Sequence, residues 1–199
     1  MRGPPALLLP LVSLLVLALS GCKSGLMAVA PDNHRLTATA DSAVVVFMRP
    51  SVFGGAIQSS VFDVTSTQNE FVGIISSGTS VAYRCKPGER TFMVVSEAGD
   101  FLKASVDAGK TYYALVTPRI GFWKARFSLK PLRTADLAGS DFLSWEKSLK
   151  FYENTDASRQ WAIANAADIQ RKRDEYLPKW NAKPPDDKAA ATLLASDGR

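Results

Sequence analysis

A cysteine directly behind a leucine-rich run and two small residues is a nucleophile placed for acylation. The stretch Leu19-Ser20-Gly21-Cys22 has that form and reads as a lipobox. Ser20 and Gly21 leave room for the lipid-transferring and cutting enzymes, so Leu19, Ser20 and Gly21 are expected to be signal-peptidase recognition residues. The Cys22 thiol is expected to take a diacylglycerol, and the amino group freed by cleavage an N-acyl chain. Upstream, Arg2 supplies the positive start of a leader and residues 6–19 its apolar segment. That segment falls short of the roughly twenty residues of a spanning helix, and Pro10 interrupts it. The plainer reading is an ordinary signal peptide with a cysteine near its cut site.

Other chemistry is sparse. The single histidine, His34, stands beside Asn33 and Arg35 in a polar stretch and reads as a solvated linker residue. No nucleophile elbow, Walker-type loop, dinucleotide fingerprint or zinc-protease motif occurs. One histidine and one cysteine beyond Cys22 do not make the usual zinc site. The Gly54-Gly55 pair lacks the Gly-Lys-Ser/Thr that completes a phosphate loop, so it reads as an inter-strand loop. Asp63, Glu70, Glu89 and Glu97 fall in or beside strand-like runs, where two facing carboxylates could act as in a glycosidase. With Cys22 lipidated, Cys85 has no intramolecular partner. It reads as a small buried side chain at a strand end, a reactive thiol or an intermolecular disulfide.

The chain has 199 residues and a formal charge of +5, enough for one domain with appendages. Residues 23–132 carry 12 basic and 8 acidic side chains, and 133–199 carry 11 of each. So mild an excess does not indicate a nucleic-acid partner, which needs a concentrated basic face. The side chains Arg119, Lys124, Arg126, Lys130 and Arg133 could meet anionic headgroups, or could be the solvated side of a last strand.

The elements that position these residues follow from periodicity. Residues 22–41 show no sustained period and read as a lipidated N-terminus and tether, able to reach about 60 Å if extended. Within it, Leu36-Thr-Ala-Thr-Ala40 could pair as an edge strand. Strands are predicted near 43–49, 57–65, 70–76, 79–85, 90–97, 101–107, 111–118 and 122–129, separated by turns such as Lys86-Pro-Gly-Glu89 and Ala108-Gly-Lys110. Seven or eight such strands point to a mainly β fold, an antiparallel β-sandwich over 42–133. In the last strand Trp123, Phe127 and Leu129 should point inward and Lys124 and Arg126 outward; Leu102, Ala104 and Val106 should likewise be buried. The runs 43–48, 92–95 and 112–116 are apolar without alternation and call for cover on both faces. A helical extension over 134–180 is expected to supply it. One amphipathic helix is predicted from Ser140 to about residue 153, with Phe142, Trp145, Leu149 and Tyr152 as its stripe, and a second over 156–177, stopped by Pro178. Residues 181–199 read as a tail without fixed structure. Exposed Phe53, Phe122 or Trp123 could contact lipid or a partner.

The motifs Ala43-Val-Val-Val-Phe-Met-Arg-Pro50, Phe71-Val-Gly-Ile74, Lys86-Pro-Gly-Glu89 and Ala108-Gly-Lys-Thr-Tyr-Tyr113 make residues 40–130 resemble the domain-of-unknown-function 2846 family of bacterial envelope domains. The resemblance implies a β-sandwich, often in a lipoprotein, and transfers no catalytic residue. In lipoproteins of diderm bacteria an Asp after the lipidated cysteine commonly marks retention at the inner membrane. Lys23 in that place is a sorting residue that favours the outer membrane, facing the periplasm. The expected function is thus a non-catalytic, lipid-anchored binding or adaptor module, with the membrane and an envelope protein as partners and no cofactor or metal. The alternative is a periplasmic hydrolase acting on cell-wall polymer or lipid through carboxylates.

Overall fold

Runs rich in Val, Ile, Phe and Tyr form the strands, as their fit to a pleated, half-buried surface dictates. A computed structural model describes residues 25–31, 35–53, 57–119 and 126–199. Among them the strands are β1 (Met27–Val29), β2 (Ala43–Arg49), β3 (Ser59–Asp63), β4 (Glu70–Ile75), β5 (Thr79–Cys85), β6 (Gly88–Val95), β7 (Gly99–Val106), β8 (Thr111–Arg119), β9 (Arg126–Pro131), β10 (Lys150–Asn154) and β11 (Thr192–Leu193). The helices are α1 (Ser140–Ser148), α2 (Asp156–Ala164), α3 (Ala166–Asn181) and α4 (Pro185–Ala190).

The fold is mainly β, in two sheets ordered β1-β10-β5-β2-β8-β9 and β11-β7-β6-β3-β4. The expectation of antiparallel pairing throughout is overturned. β2 runs parallel to β8, β10 to β5 and β11 to β7. The connections explain it: β2 to β3, β4 to β5, β5 to β6 and β7 to β8 each cross to the other sheet. Only a tight hairpin obliges neighbours to run antiparallel, and a chain that leaves the sheet and returns is free of that constraint.

One apolar cluster draws on both sheets, with Val45 and Phe47 of β2, Phe92 and Val94 of β6, and Val116 of β8. Phe47 and Phe92 meet edge to face at 5.1 Å, a favourable aromatic arrangement that bridges the sheets. Leu102, Ala104, Val106, Phe127 and Leu129 point into this cluster as their alternation predicts. The uninterrupted apolar run of β2 has its explanation in the opposite face. There Val44, Val46 and Met48 join Tyr113, Leu137, Phe142 and Leu149, so β2 is covered on both sides. The second sheet has its own cover, where Phe62, Met93, Val95 and Phe101 meet Ala162, Ile169 and Trp180. β6 belongs to a different sheet from β2 and β8, and each sheet receives a separate piece of the extension.

Three further expectations are corrected. The first helix stops at Ser148 because Leu149 turns extended (φ −75°, ψ 137°). Residues 150–154 then form β10, wedged between β1 and β5. Aromatic Phe151 and Tyr152 suit a strand at least as well as a helix. The second helix is broken at Asn165 (φ −98°, ψ 3°), whose side-chain amide donates to the Trp161 carbonyl at 2.8 Å and competes with the helical ladder. It also continues past Pro178 to Asn181. Thr155 caps α2 through a reciprocal bond with Ser158, which fixes its start.

The tether is the second correction of consequence. Residues 27–29 are an edge strand paired with β10, and Met27 and Ala30 are buried. The Leu36–Ala40 piece contributes only a bridge between Thr39 and Ser42. The third concerns the tail. It folds into α4 and β11, Leu193 is fully buried, and Arg199 exchanges backbone hydrogen bonds with Thr111 at 2.8 and 3.1 Å. Arg133 holds the tail through the carbonyls of Ala189 and Thr192 and the Asp197 carboxylate. Gly198 lies against the Tyr112 ring so closely that a Cβ there would meet the ring at 2.5 Å.

Candidate functional site

An open groove of about 730 Å³ lies between α2, the start of α3 and the loop 64–69. Its floor is apolar, with Phe62 and Phe71 at 5.4 Å from one another and Ile169 beside them. Small residues make the space: Ala162, Ala166 and Ala167 occupy the bend where α2 passes into α3. The facing wall is a loop gathered by one side chain. Arg173 of α3 donates to the carbonyls of Val64 at 3.0 Å and Ser66 at 2.8 Å and to Asn69 Oδ1 at 2.8 Å. Asn69 also donates to Gln170 at 2.8 Å, and Asp63 Oδ1 accepts from the Thr65 amide at 2.9 Å, an Asx-type turn that starts the loop. Ile163 stands 67% exposed at the rim beside Arg159. The lining contains no carboxylate, histidine or cysteine, so it can bind by burial and hydrogen bonding but brings no acid, base or nucleophile of that kind.

The carboxylates of the hydrolase alternative are only partly brought together. Asp63 and Glu70 are cross-strand partners, and between them stands the Tyr83 hydroxyl, 2.6 Å from Glu70 and 3.3 Å from Asp63. Burial, reinforced by the hydrogen bond to Glu70 and by both carboxylates, raises the Tyr83 phenol far above its ordinary range, so it stays a donor. Arg90 completes the group at 3.8 Å from Asp63. A phenol fills the place a substrate would need, and none of these side chains lines the groove. Glu89 and Glu97 are exposed near opposite ends of β6, roughly 25 Å apart at a strand's rise per residue.

The basic residues do not form one row. Arg119 and Arg126 stand opposite each other across the β8–β9 pair, and Arg119 also approaches Asp100 at 3.4 Å. Lys130 is exposed farther along β9 beside a shallow cavity that includes Trp145. Arg133 is taken up by the tail. Lys124 lies outside the described residues, as do Phe122, Trp123, His34, Gly54 and Gly55. So do Leu19, Ser20, Gly21, Cys22 and Lys23.

Cys85 ends β5 and is buried, and burial pushes its thiol up to about 11 from 9.0. At pH 8 the native thiol should therefore react with an alkylating reagent roughly a hundredfold or more slower than a cysteine of ordinary pKa. The sign of the linked stability is fixed as well. Between about pH 9 and 11 the unfolded chain releases a proton that the folded chain retains, so this thiol contributes a fall in stability as pH rises through that window. Urea unfolding of the wild type against Cys85→Ser across that range reads the difference.

Sequence reasoning missed Arg49. It closes the apolar run of β2 yet is fully buried, its guanidinium 4.5 Å from the Phe127 ring centre and donating to the Ile57 carbonyl at 2.6 Å and the Phe53 carbonyl at 3.4 Å. An arginine at the end of six apolar residues and before a proline was the available signal. The groove left none, since alanines at a helix bend look like any helical alanines.

No protein-family model matches the chain, and no curated protein does.

Proposed function

We propose that this chain is a lipid-anchored protein of the bacterial envelope, held by acyl chains on Cys22 at the outer membrane and facing the periplasm. Its two sheets are read as a β-sandwich, and its role as non-catalytic: it binds an envelope protein as a receptor or adaptor. The observation that carries the binding role is the open groove of about 730 Å³, with an apolar floor, an amide-rich rim and no acid, histidine or cysteine in its lining. Such a surface suits an apolar side chain presented by a partner, with Asn69, Gln68 and Arg159 to hydrogen-bond the segment around it. The lipobox supports the anchor, because two or three acyl chains hold a protein stably where one is marginal. The motifs that resemble the envelope family fit the same reading: the first lies on β2, the Pro-Gly turn joins β5 to β6, and the Tyr-Tyr pair opens β8.

A photo-crosslinking residue at 163, in intact cells, is expected to yield a discrete adduct that the same residue at position 89 does not. Ala166→Trp, which fills the groove, should abolish it. Equal or absent adducts at both positions would remove the support for the groove. Mass analysis of membrane-extracted protein tests the anchor, and an unmodified Cys22 ends it.

A further inference from the structure

Given the groove between α2, α3 and the loop 64–69 as the binding site, on which this reading rests, we propose that the partner segment seated there is acidic. It lays an apolar side chain on the floor of Phe62 and Phe71 and brings a carboxylate to Arg159. Arg159 is the one charged side chain of the lining. It is exposed, and its Nη1 donates to the Asn154 carbonyl at 3.1 Å, which leaves Nε and Nη2 for a ligand. Among the described residues no carboxylate stands within ion-pair distance of it.

The amides of the lining are biased the same way. Asn69 Oδ1 accepts from Arg173 at 2.8 Å, Gln170 Oε1 from Asn69 at 2.8 Å and Asn154 Oδ1 from Ser158 at 3.2 Å. Each of the three nitrogens uses one of its two hydrogens: Asn69 on Gln170, Gln170 on Asp174 at 2.8 Å and Asn154 on the Val72 carbonyl at 3.0 Å. Arg173 also holds the carbonyls of Val64, Ser66 and Thr67, so these backbone acceptors of the loop are engaged before any partner arrives. Its own contacts are neutral oxygens, and among the described residues it has no ion pair, so a second positive charge stands uncompensated at the loop. What the groove has left to offer is weighted to N–H donors and positive charge.

That balance selects among occupants. A wholly apolar segment would cover N–H groups without pairing them, which costs affinity. A lysine or arginine would meet two guanidiniums and acceptors already in use. A carboxylate brings only acceptors and matches the fork of a guanidinium. The acids of α3 near the groove do not supply one. Asp174, one helical turn beyond Gln170, accepts from that amide and lies outside the lining. Asp168 is paired with Arg171 and Lys172. The apolar floor holds the partner, and the charge decides which apolar segment is held.

The purified full chain with a photo-crosslinking residue at 163 tests this against an equimolar pool of hexapeptides: Gly-Asp-Leu-Phe-Asp-Gly and its counterparts with Asn or Lys in place of both Asp. The acidic peptide is expected to give roughly two- to fivefold more adduct than the amide peptide, the range of an exposed charge pair, and the lysine peptide the least. Salt at about 1 M should narrow the difference. Arg159→Glu should reverse the order of the acidic and lysine peptides, and Arg159→Gln, a milder change, should bring the acidic and amide peptides together. An order that both variants leave unchanged overturns the role of Arg159. Equal adducts from the acidic and amide peptides, both lost in Ala166→Trp, overturn the acidic partner and leave the groove standing. Adducts no greater at 163 than from the same photo-crosslinking residue at 89, for every peptide, overturn both.

Discussion

Arg49→Ala is expected to lower the free energy of unfolding by about 2–5 kcal/mol, the range for truncating a large buried side chain. The side chain is wholly buried and reaches the carbonyls of Ile57, Phe53 and, at 3.5 Å, Ile75. Its removal leaves acceptors without that donor, each costing about 1–3 kcal/mol when buried, and empties the space above Phe127. Arg49→Met separates the contributions. Burial pushes the Arg49 pKa down, which records the cost of holding a cation there. Methionine removes that cost and keeps much of the volume, so its loss should be smaller, about 1–3 kcal/mol from the carbonyls. Urea unfolding of both variants decides it. If Arg49→Ala stays within about 0.5 kcal/mol of wild type, the range of ordinary surface changes, the guanidinium does not hold Phe53 and Ile57 as described.

Arg49 also shows what could be read in advance. The ranges of β2 and β5 coincide with those predicted, because β-branched and aromatic runs between turn residues report a strand directly. The continuous apolar run of β2 correctly demanded two covered faces. Which strands lie side by side was not legible, since side-chain alternation encodes a face and not a neighbour. The connections that switch sheets, such as Lys86-Pro87 between β5 and β6, look like any hairpin turn. Lys150–Asn154 failed for a different reason. Phe142, Trp145, Leu149 and Tyr152 fit a helical spacing, but Leu149 and Phe151 fit a strand's alternation equally well, and both are buried in one cluster. The proximity of β5 and β1 decided between them. Of the candidate sites, the groove was not legible from neighbouring residues, because it needs Arg173 to fold 64–69 against α3, a contact across more than a hundred residues.

The tail offers a sharper trial, because two adjacent leucines should behave oppositely. Leu193 is fully buried in the cluster shared by the sheets, while Leu194 is 49% exposed. Leu193→Ala is therefore expected to cost about 2–5 kcal/mol, as for a truncated core leucine. Leu194→Ala should remain within about 0.5 kcal/mol. The contrast depends on register. β11 pairs Thr192 with Lys103 and Leu193 with Ala104, and a slip by one residue would exchange the two leucines. Several contacts prevent the slip: Arg133 grips the Thr192 carbonyl and Asp197, Tyr112 donates to the Ala195 carbonyl at 3.2 Å, and Gly198 alone leaves room for the Tyr112 ring. Deleting 182–199 should then cost more than Leu193→Ala, since it removes the Arg133 and Tyr112 partners together with the buried leucine. Equal effects of the two leucine substitutions in urea unfolding would mean that the tail docks in another register, and a truncated chain as stable as the whole would mean that it does not dock.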